Sequence, residues 1–447
     1  MNSSYRAAIA LLLFVSLLSS CKKDPPVTPP IEPPPYKQSI FLSVADSGLT
    51  EVVLSLSMTD TLPPRGYEIF RNNNKILSGS LFGKETSLVD ITAQMNTSYA
   101  YQAFRVDNGM RTDSSTVVAT RTLDTTSHEF AWTEYTFGNW SPNVLRDIEI
   151  ESDTKIIAVG TISTRDSSGK STEYNVIKQE NNSWKLQRFL SNAQILYPGS
   201  IGDDSIFAEG TTLRIISSND IWLAAGNMHH LTQSSWKQER AEGAGFGSEL
   251  WGDDKNNIWI VGALGTIIKY NGLTWQKQSS STTVDLTDIW GTPDGSTVWA
   301  CGYKYDYTTS VLLQYTKQSN SWQTLWTKEG ISTYPFDIVG SIWGNRKLYV
   351  ASGAEVYELN GSAIKKHSPW FQNFIYHIRG NGENDIVAVT GGGGIWHFNG
   401  SNWKKIYLNA QRSLNSVAIK ENMIVAIGTD ESSFPNKAFV LVGSRLK

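Results

Sequence analysis

The chain has 447 residues, a formal net charge of −3, 18% charged residues and no long basic run. Nucleic-acid binding therefore lacks the positive field it requires, and no nucleic-acid partner is expected. Sixteen tryptophans, eighteen tyrosines, abundant glycine and scarce helix-period stretches point to an all-β protein.

The first residues read as an export signal. One cation, Arg6, precedes an apolar run from Ala7 to Leu18. That run is shorter than the roughly 20 residues a membrane-spanning helix needs, but it suits the apolar core of a signal peptide. It ends in Leu18-Ser19-Ser20-Cys21, which resembles the lipobox of bacterial lipoproteins. The resemblance implies that residues 1–20 are removed and that Cys21 carries the lipid. Of the two cysteines only Cys301 then remains, so the mature chain has no internal disulfide, and Cys301 reads as a small buried hydrophobe.

Seven of the fifteen prolines fall between Pro25 and Pro35. Proline without glycine favours a polyproline II rod of roughly 3.1 Å per residue, so 21–37 is read as a lipidated cysteine and a stalk of about 40 Å. Lys22, Lys23 and Asp24 resemble in part the export signal of Bacteroidetes surface lipoproteins, with Asp24 as the one acid. The expected location is the outer membrane, exposed at the cell surface.

Residues 38–125 alternate apolar and polar side chains in short runs such as Val52–Ser57 and Gly66–Arg71, with an Asn72-Asn73-Asn74 turn. With Asp90 ending one strand and Tyr99 and Tyr101 in another, the order resembles a fibronectin type III sandwich. The resemblance makes Tyr99 the corner tyrosine.

From 128 to 447 the sequence repeats. Leu250-Trp251-Gly252 followed by Ile258–Gly262, Ile267–Gly272 and Trp275 is the fullest copy. Others centre on Trp290-Gly291, Trp343-Gly344 and Arg379-Gly380, and second-strand glycines recur at 160, 226, 262, 302, 353, 391 and 428. Units of roughly forty residues with about four short strands describe a seven-bladed β-propeller. Residues 190–212 are irregular, which leaves six or eight blades open. The last unit lacks a fourth strand, and residues 130–135 are expected to supply it, with Trp132 in the place of Trp275, Trp322 and Trp403. The repeats resemble bacterial tryptophan-rich propellers related to sialidase-like (BNR) and photosystem-assembly-factor propellers, some of which carry a glucosyltransferase label.

No nucleotide-sugar motif accompanies that resemblance. Arg146, Arg214 and Arg379 stand near inner-strand positions but in dissimilar contexts, not as a sialidase-like cluster. Gly391–Gly394 reads as a hairpin rather than a phosphate loop. Asp203-Asp204 and Asp253-Asp254 lack the spaced oxygens of a calcium loop, and His229-His230 cannot place both rings on one metal from a strand. No metal and no cofactor is expected.

Aromatic residues in loops remain. Tyr303, Tyr305 and Tyr307 follow Gly302 in a long loop, and Trp370 and Phe371, with Phe374 and Tyr376, precede an inner strand. Arg379 stands where other repeats have tryptophan. These six, Tyr303, Tyr305, Tyr307, Trp370, Phe371 and Arg379, are the candidate ligand-binding residues. The expected function is a non-catalytic binding or scaffold lipoprotein, acting as a monomer, whose propeller engages a protein or glycan. The alternative is a glycoside hydrolase or sialidase-like enzyme with its site in the propeller channel.

Overall fold

The computed structural model describes residues 38–59, 65–181, 183–192, 205–232, 235–239, 241, 247–330 and 336–446. The signal peptide, Cys21 and the proline stretch, like Asp203-Asp204, lie outside them. The described residues contain no α-helix and form two compact units. One comprises 38–45, 53–90 and 99–120; the other comprises 46–52, 91–98 and everything from Arg121 onward.

The first unit is built on two antiparallel sheets. Its strands are Ile40–Ser47 (β1), Val52–Met58 (β2), Arg65–Arg71 (β3), Asn74–Leu81 (β4), Glu85–Asp90 (β5), Ser98–Asp107 (β6), Met110–Ser114 (β7) and Val118–Arg121 (β8). One sheet runs β1-β2-β5; the other runs β4-β3-β6-β7, with β8 also on β6. Alternate side chains of these strands, among them Ile40, Leu54, Leu56, Ile69 and Tyr101, are fully buried. The β3–β4 turn holds Asn72 and Asn73 at φ +48° and +66°, the left-handed backbone of a two-residue hairpin that asparagine tolerates. The Tyr101 hydroxyl donates to Asp90 Oδ2 (2.9 Å), which also accepts from Arg71 (2.8 Å). Tyr99 is buried with its ring under the Arg71 guanidinium.

Among its described residues the second unit has seven four-stranded antiparallel sheets, the blades, here numbered 1 to 7 with strands a to d from the inside outward. Their a strands are Asn143–Ser152, Thr212–Ser217, Gly247–Asp254, Leu286–Gly291, Val339–Gly344, Ile375–Gly382 and Arg412–Lys420. Each a strand lies against the next, and that of blade 7 lies against that of blade 1. The ring is therefore closed and the unit is a β-propeller. Of the irregular stretch, the described residues Leu190–Asn192 pair with Ser205–Phe207 in a separate two-stranded sheet. The side-chain amide of Asn175 fastens it by donating to the carbonyls of Phe189 and Ala208, both at 2.9 Å.

Blade 7 takes its d strand from the start of the unit. Phe130–Phe137 (β9) pairs with Lys437–Arg445, and Trp132 stands opposite Gly443 just as Trp275 stands opposite Tyr270 in blade 3. A Cβ on Gly443 would meet the Trp132 ring at 2.4 Å, so this glycine makes room for it.

The Trp-Gly pairs of the repeats are a packing device of the same kind. A Cβ on Gly291 would meet the Trp251 ring of the preceding blade at 2.5 Å, and one on Gly380 would meet Trp343 at 2.8 Å. These two tryptophans thus press on their neighbour's backbone, while Trp290 reaches the next blade by donating its Nε1–H to the Gly344 carbonyl (2.8 Å). Apolar clusters fill the remaining space between blades, including Trp251, Ile289, Val298 and Leu313 in one and Trp343, Ile378 and Phe398 in another.

Candidate functional site

The b-strand glycines shape the channel. In six of the seven a strands the pairing register slips by one residue, between Leu145 and Asp147, Gly247 and Glu249, Leu286 and Asp288, Val339 and Ser341, Ile375 and His377, and Leu414 and Ser416. A bulge brings backbone close to the facing strand and re-aims the following side chain. A Cβ on Gly160, Gly302 or Gly428 would fall within 2.1, 2.0 or 1.7 Å of a carbonyl oxygen of the bulged strand, so only glycine fits there.

The residue after each bulge, with Thr212 in blade 2, forms a ring of polar side chains, one per blade: Asp147, Thr212, Glu249, Asp288, Ser341, His377 and Ser416. Five of them accept a backbone N–H from the following blade. Asp147 accepts from Leu213, Thr212 from Leu250, Asp288 from Ile342, Ser341 from Ile378, and His377 Nδ1 from Val417, at 2.9–3.2 Å. Buried backbone donors at the blade seams are satisfied this way.

Two residues further along each a strand lies a second ring: Glu149, Arg214, Trp251, Trp290, Trp343, Arg379 and Ala418. Arg379 stands where three other blades have tryptophan. Its guanidinium makes two bonds of 3.0 Å to Asp288 and one of 2.9 Å to Glu249, and it stands over the Trp290 ring. Arg214 pairs with Glu149 at 2.7 Å. Burial pushes the Asp288 carboxyl up, but Arg379 and then His377 outweigh it and hold it below the usual carboxylate range. Glu249 is pushed well above that range by burial and then by Asp147. Burial likewise raises Asp147 to about 6, while it lowers His377 to about 3, with Arg379 adding to the effect.

The ligand atoms of Glu249, Asp288 and His377 lie within 4.8 Å of one another, a spacing that suits a metal ion. Their hydrogen bonds do not. His377 Nδ1 accepts the Val417 N–H, so the proton of the neutral ring is on Nε2, which has no partner in hydrogen-bond range and offers no lone pair to a metal. Both oxygens of Asp288 are already occupied by Arg379 and backbone or hydroxyl donors. The guanidinium is the resident cation of this cluster.

The other candidate residues divide between core and surface. Phe371 is 1% exposed and stacks on Trp396 at 4.4 Å, so it belongs to the interior of blade 6. Arg379 is buried in the channel. Tyr305, at 90%, and Trp370, at 62%, are exposed, and Tyr307 more than half so. The tyrosine loop and the 370–376 segment meet: Tyr305 stacks near Tyr307 (6.5 Å), Tyr307 on Tyr303 (5.6 Å), Tyr303 on the edge of Phe374 (5.7 Å), and Phe374 beside Tyr376 (5.6 Å). Tyr376 is the extra residue of the blade 6 bulge, which turns it out of the ladder. Tyr307 takes φ +58°, a left-handed conformation costly for a bulky side chain. Burial lifts the Tyr303 phenol to about 12, so it stays a donor.

This row lies on the face formed by the b–c and d–a connections, here the one from strand b (Thr297–Tyr303) to strand c (Thr309–Thr316) of blade 4 and the one from strand d of blade 5 (Ala363–Lys366) to strand a of blade 6. Leu264, Trp140, Leu408 and Phe434, all large and exposed, lie in or beside connections of that same class, whereas Leu273, in a c–d turn, and Leu446, at the c–d end of blade 7, are on the opposite face. Among the described propeller residues, exposed apolar bulk in the loops is thus concentrated on one side. Gly391–Gly394 is a turn on this same face, with Gly392 and Gly393 at φ +70° and +68°. His229 contacts Ser191, and His230 stacks on Trp222 between Asp220 and Glu239.

No known protein-family profile matches the chain. The immune protein Tsi7 of Pseudomonas aeruginosa is 24% identical over 219 residues, covering 46% of this chain and 67% of that protein. A structure of YCF48 bound to a D1 peptide superposes with a TM-score of 0.50 at 11% identity, over 71% of this chain and 95% of that one. YCF48 from Cyanidioschyzon merolae gives 0.49 at 13% identity, over 70% of this chain and 99% of its own. At 11% identity the likeness to peptide-bound YCF48 is one of fold alone, and it agrees with the blade geometry: the larger unit of this chain is a β-propeller.

Proposed function

We propose that this chain is a lipid-anchored, non-catalytic scaffold of the outer membrane, held at the cell surface, whose propeller binds a partner protein through its b–c/d–a face. The observation that carries the reading is the one-sided concentration of exposed aromatic and apolar side chains in those connections. Large rings left in water on one face of a disc mark an interaction surface. The peptide bound by YCF48, a protein of similar fold, agrees with protein binding by such a disc. The anchor rests on the Leu18–Cys21 motif and the spacer on the prolines after it. The sheet order of the smaller unit, β1-β2-β5 against β4-β3-β6-β7, favours a fibronectin type III-like domain as the next part of the arm.

A photo-crosslinking residue at position 305 tests the face. It should capture a discrete partner in intact cells, whereas the same residue at position 273 should not. Equal capture from both positions, or none from 305, rejects the assignment. Cys21→Ala should abolish labelling by a fatty-acid analogue; a labelled mutant would reject the anchor.

Glycoside cleavage in the channel has one observation in its favour, the convergence of Glu249 and Asp288, because catalytic carboxylates in retaining glycosidases stand about 5 Å apart. Against it, Asp288 has no open lone pair for a nucleophile's role and Arg379 bridges the two groups. Hydrolysis of a chromogenic glycoside that disappears in Glu249→Gln would reverse this judgement.

A further inference from the structure

We propose that the tyrosine row takes a proline-rich peptide in the polyproline II conformation, an inference that rests on the reading of this face as a partner surface. Tyr305, Tyr307 and Tyr303 form a ladder of near-parallel rings, tilted by 26° and 17°, whose successive centroids are 6.5 and 5.6 Å apart. A polyproline II chain rises roughly 3.1 Å per residue, so each ring step matches about one dipeptide. Such chains are recognised by aromatic ridges that cradle successive proline-containing dipeptides, and their stiffness lowers the entropy lost on binding. The backbone carbonyls of this helix have no internal partners. Tyrosine hydroxyls can donate to them.

The relief of the row favours a peptide over a sugar. A pyranose ring stacks best on a flat aromatic platform, whereas here the surface turns by 65° between Tyr303 and Phe374 and by 56° between Phe374 and Tyr376, giving ridges and slots. Within the loop Asp306 stays ionised, its Oδ1 accepting from Thr308 Oγ1 (2.7 Å) and the Thr308 backbone N–H (3.0 Å), with Lys304 as the neighbouring cation. The left-handed backbone of Tyr307 holds its ring in the stack between its two neighbours, before any ligand arrives.

The chain's own residues 24–35 supply a probe. A labelled synthetic peptide of that sequence is titrated, by fluorescence anisotropy, against the full chain in which the seven prolines from Pro25 to Pro35 are replaced by serine, so that no internal copy competes. Saturable binding is expected, weakened about tenfold or more by Tyr305→Ala or Tyr307→Ala and unaffected by Leu273→Ala on the opposite face. Exchanging the peptide's prolines for alanine should remove it. No saturable binding, or binding indifferent to the tyrosines or to the prolines, overturns the inference. So does a glycan that binds the full chain and is lost with the same tyrosines. If the peptide fails while crosslinking from position 305 still captures a partner, this inference alone falls; if both fail, the partner surface falls with it.

Discussion

The channel and the aromatic face of the propeller use the same strands to opposite ends. In the channel, Asp147, Thr212, Asp288, Ser341 and His377 are buried and accept backbone donors across the seams. On the face, apolar side chains are left in water, among them Tyr305, Trp370 and Phe434. Burial of polar groups with partners is what a closed ring needs for a unique register; exposure of rings without partners is what a binding surface needs. By its contacts the channel cluster is a fastening, and the proposed partner surface lies outside it.

The sharpest way to break that comparison is to remove the channel's cation. Arg379→Met leaves the ionised Asp288 buried without its counter-charge, and should cost about 3–5 kcal/mol of stability by chemical denaturation. A loss within experimental error would mean that the cluster is not structural. The pH dependence probes the same groups with a defined sign. Asp147 binds its proton more tightly in the folded chain, at about 6, than at its ordinary 3.8. Its contribution to stability is therefore full below pH 3.8 and is lost as pH rises through 6. Wild type minus Asp147→Ala, measured at about pH 4 and about pH 7, should shrink by about 2–3 kcal/mol. His377, lowered to about 3, contributes in the opposite sense, losing stability as pH falls below 6.5, which is why the difference between the two proteins, and not the wild-type curve, is the quantity to measure.

A smaller effect separates packing from charge at the seams. Gly380→Ala places a methyl against the Trp343 ring, at a distance of 2.8 Å that real side chains do not tolerate, and should cost about 1–3 kcal/mol. The same substitution at Gly361, a turn glycine at φ +59° with open space around it, strains only the backbone and should cost about 1 kcal/mol. Equal losses at the two positions would mean that Trp343 does not press on its neighbour.

How far the sequence carried these features depended on whether they repeat. The blade period was legible because Trp251, Trp290 and Trp343 each precede a glycine that the packing demands. The missing d strand followed from the absence of a tryptophan strand after Val442, and β9 pairs there. The polar ring was not legible, although its signal was present: Glu249, Asp288, Ser341 and His377 each stand two residues before Trp251, Trp290, Trp343 and Arg379. Residue types that vary around a ring look like noise in a single repeat, and the bulge that aims them has no residue signature beyond a glycine on the facing strand. Arg379 was visible as a departure from the tryptophan pattern, but whether it faced solvent or Asp288 depended on a blade ninety residues away. Phe371 and Trp370, adjacent in sequence, part at a loop where one ring turns inward onto Trp396 and the other out; only tertiary packing decides which.

The smallest expected effect is on the face, and its smallness is the point. Tyr305→Ala removes a ring that is 90% exposed and should leave stability within about 0.5 kcal/mol of wild type in the same denaturation assay. Tyr307→Ala relieves a left-handed backbone only in part, since alanine is also disfavoured there, so its effect on stability should be similarly slight. Both substitutions should nonetheless remove capture of a partner by a crosslinker placed elsewhere on the same face, for instance at Trp370. If either substitution instead destabilised the fold by several kcal/mol, the rings would be part of the packing between blades, and the contrast between a fastened interior and a free, adhesive exterior would no longer hold.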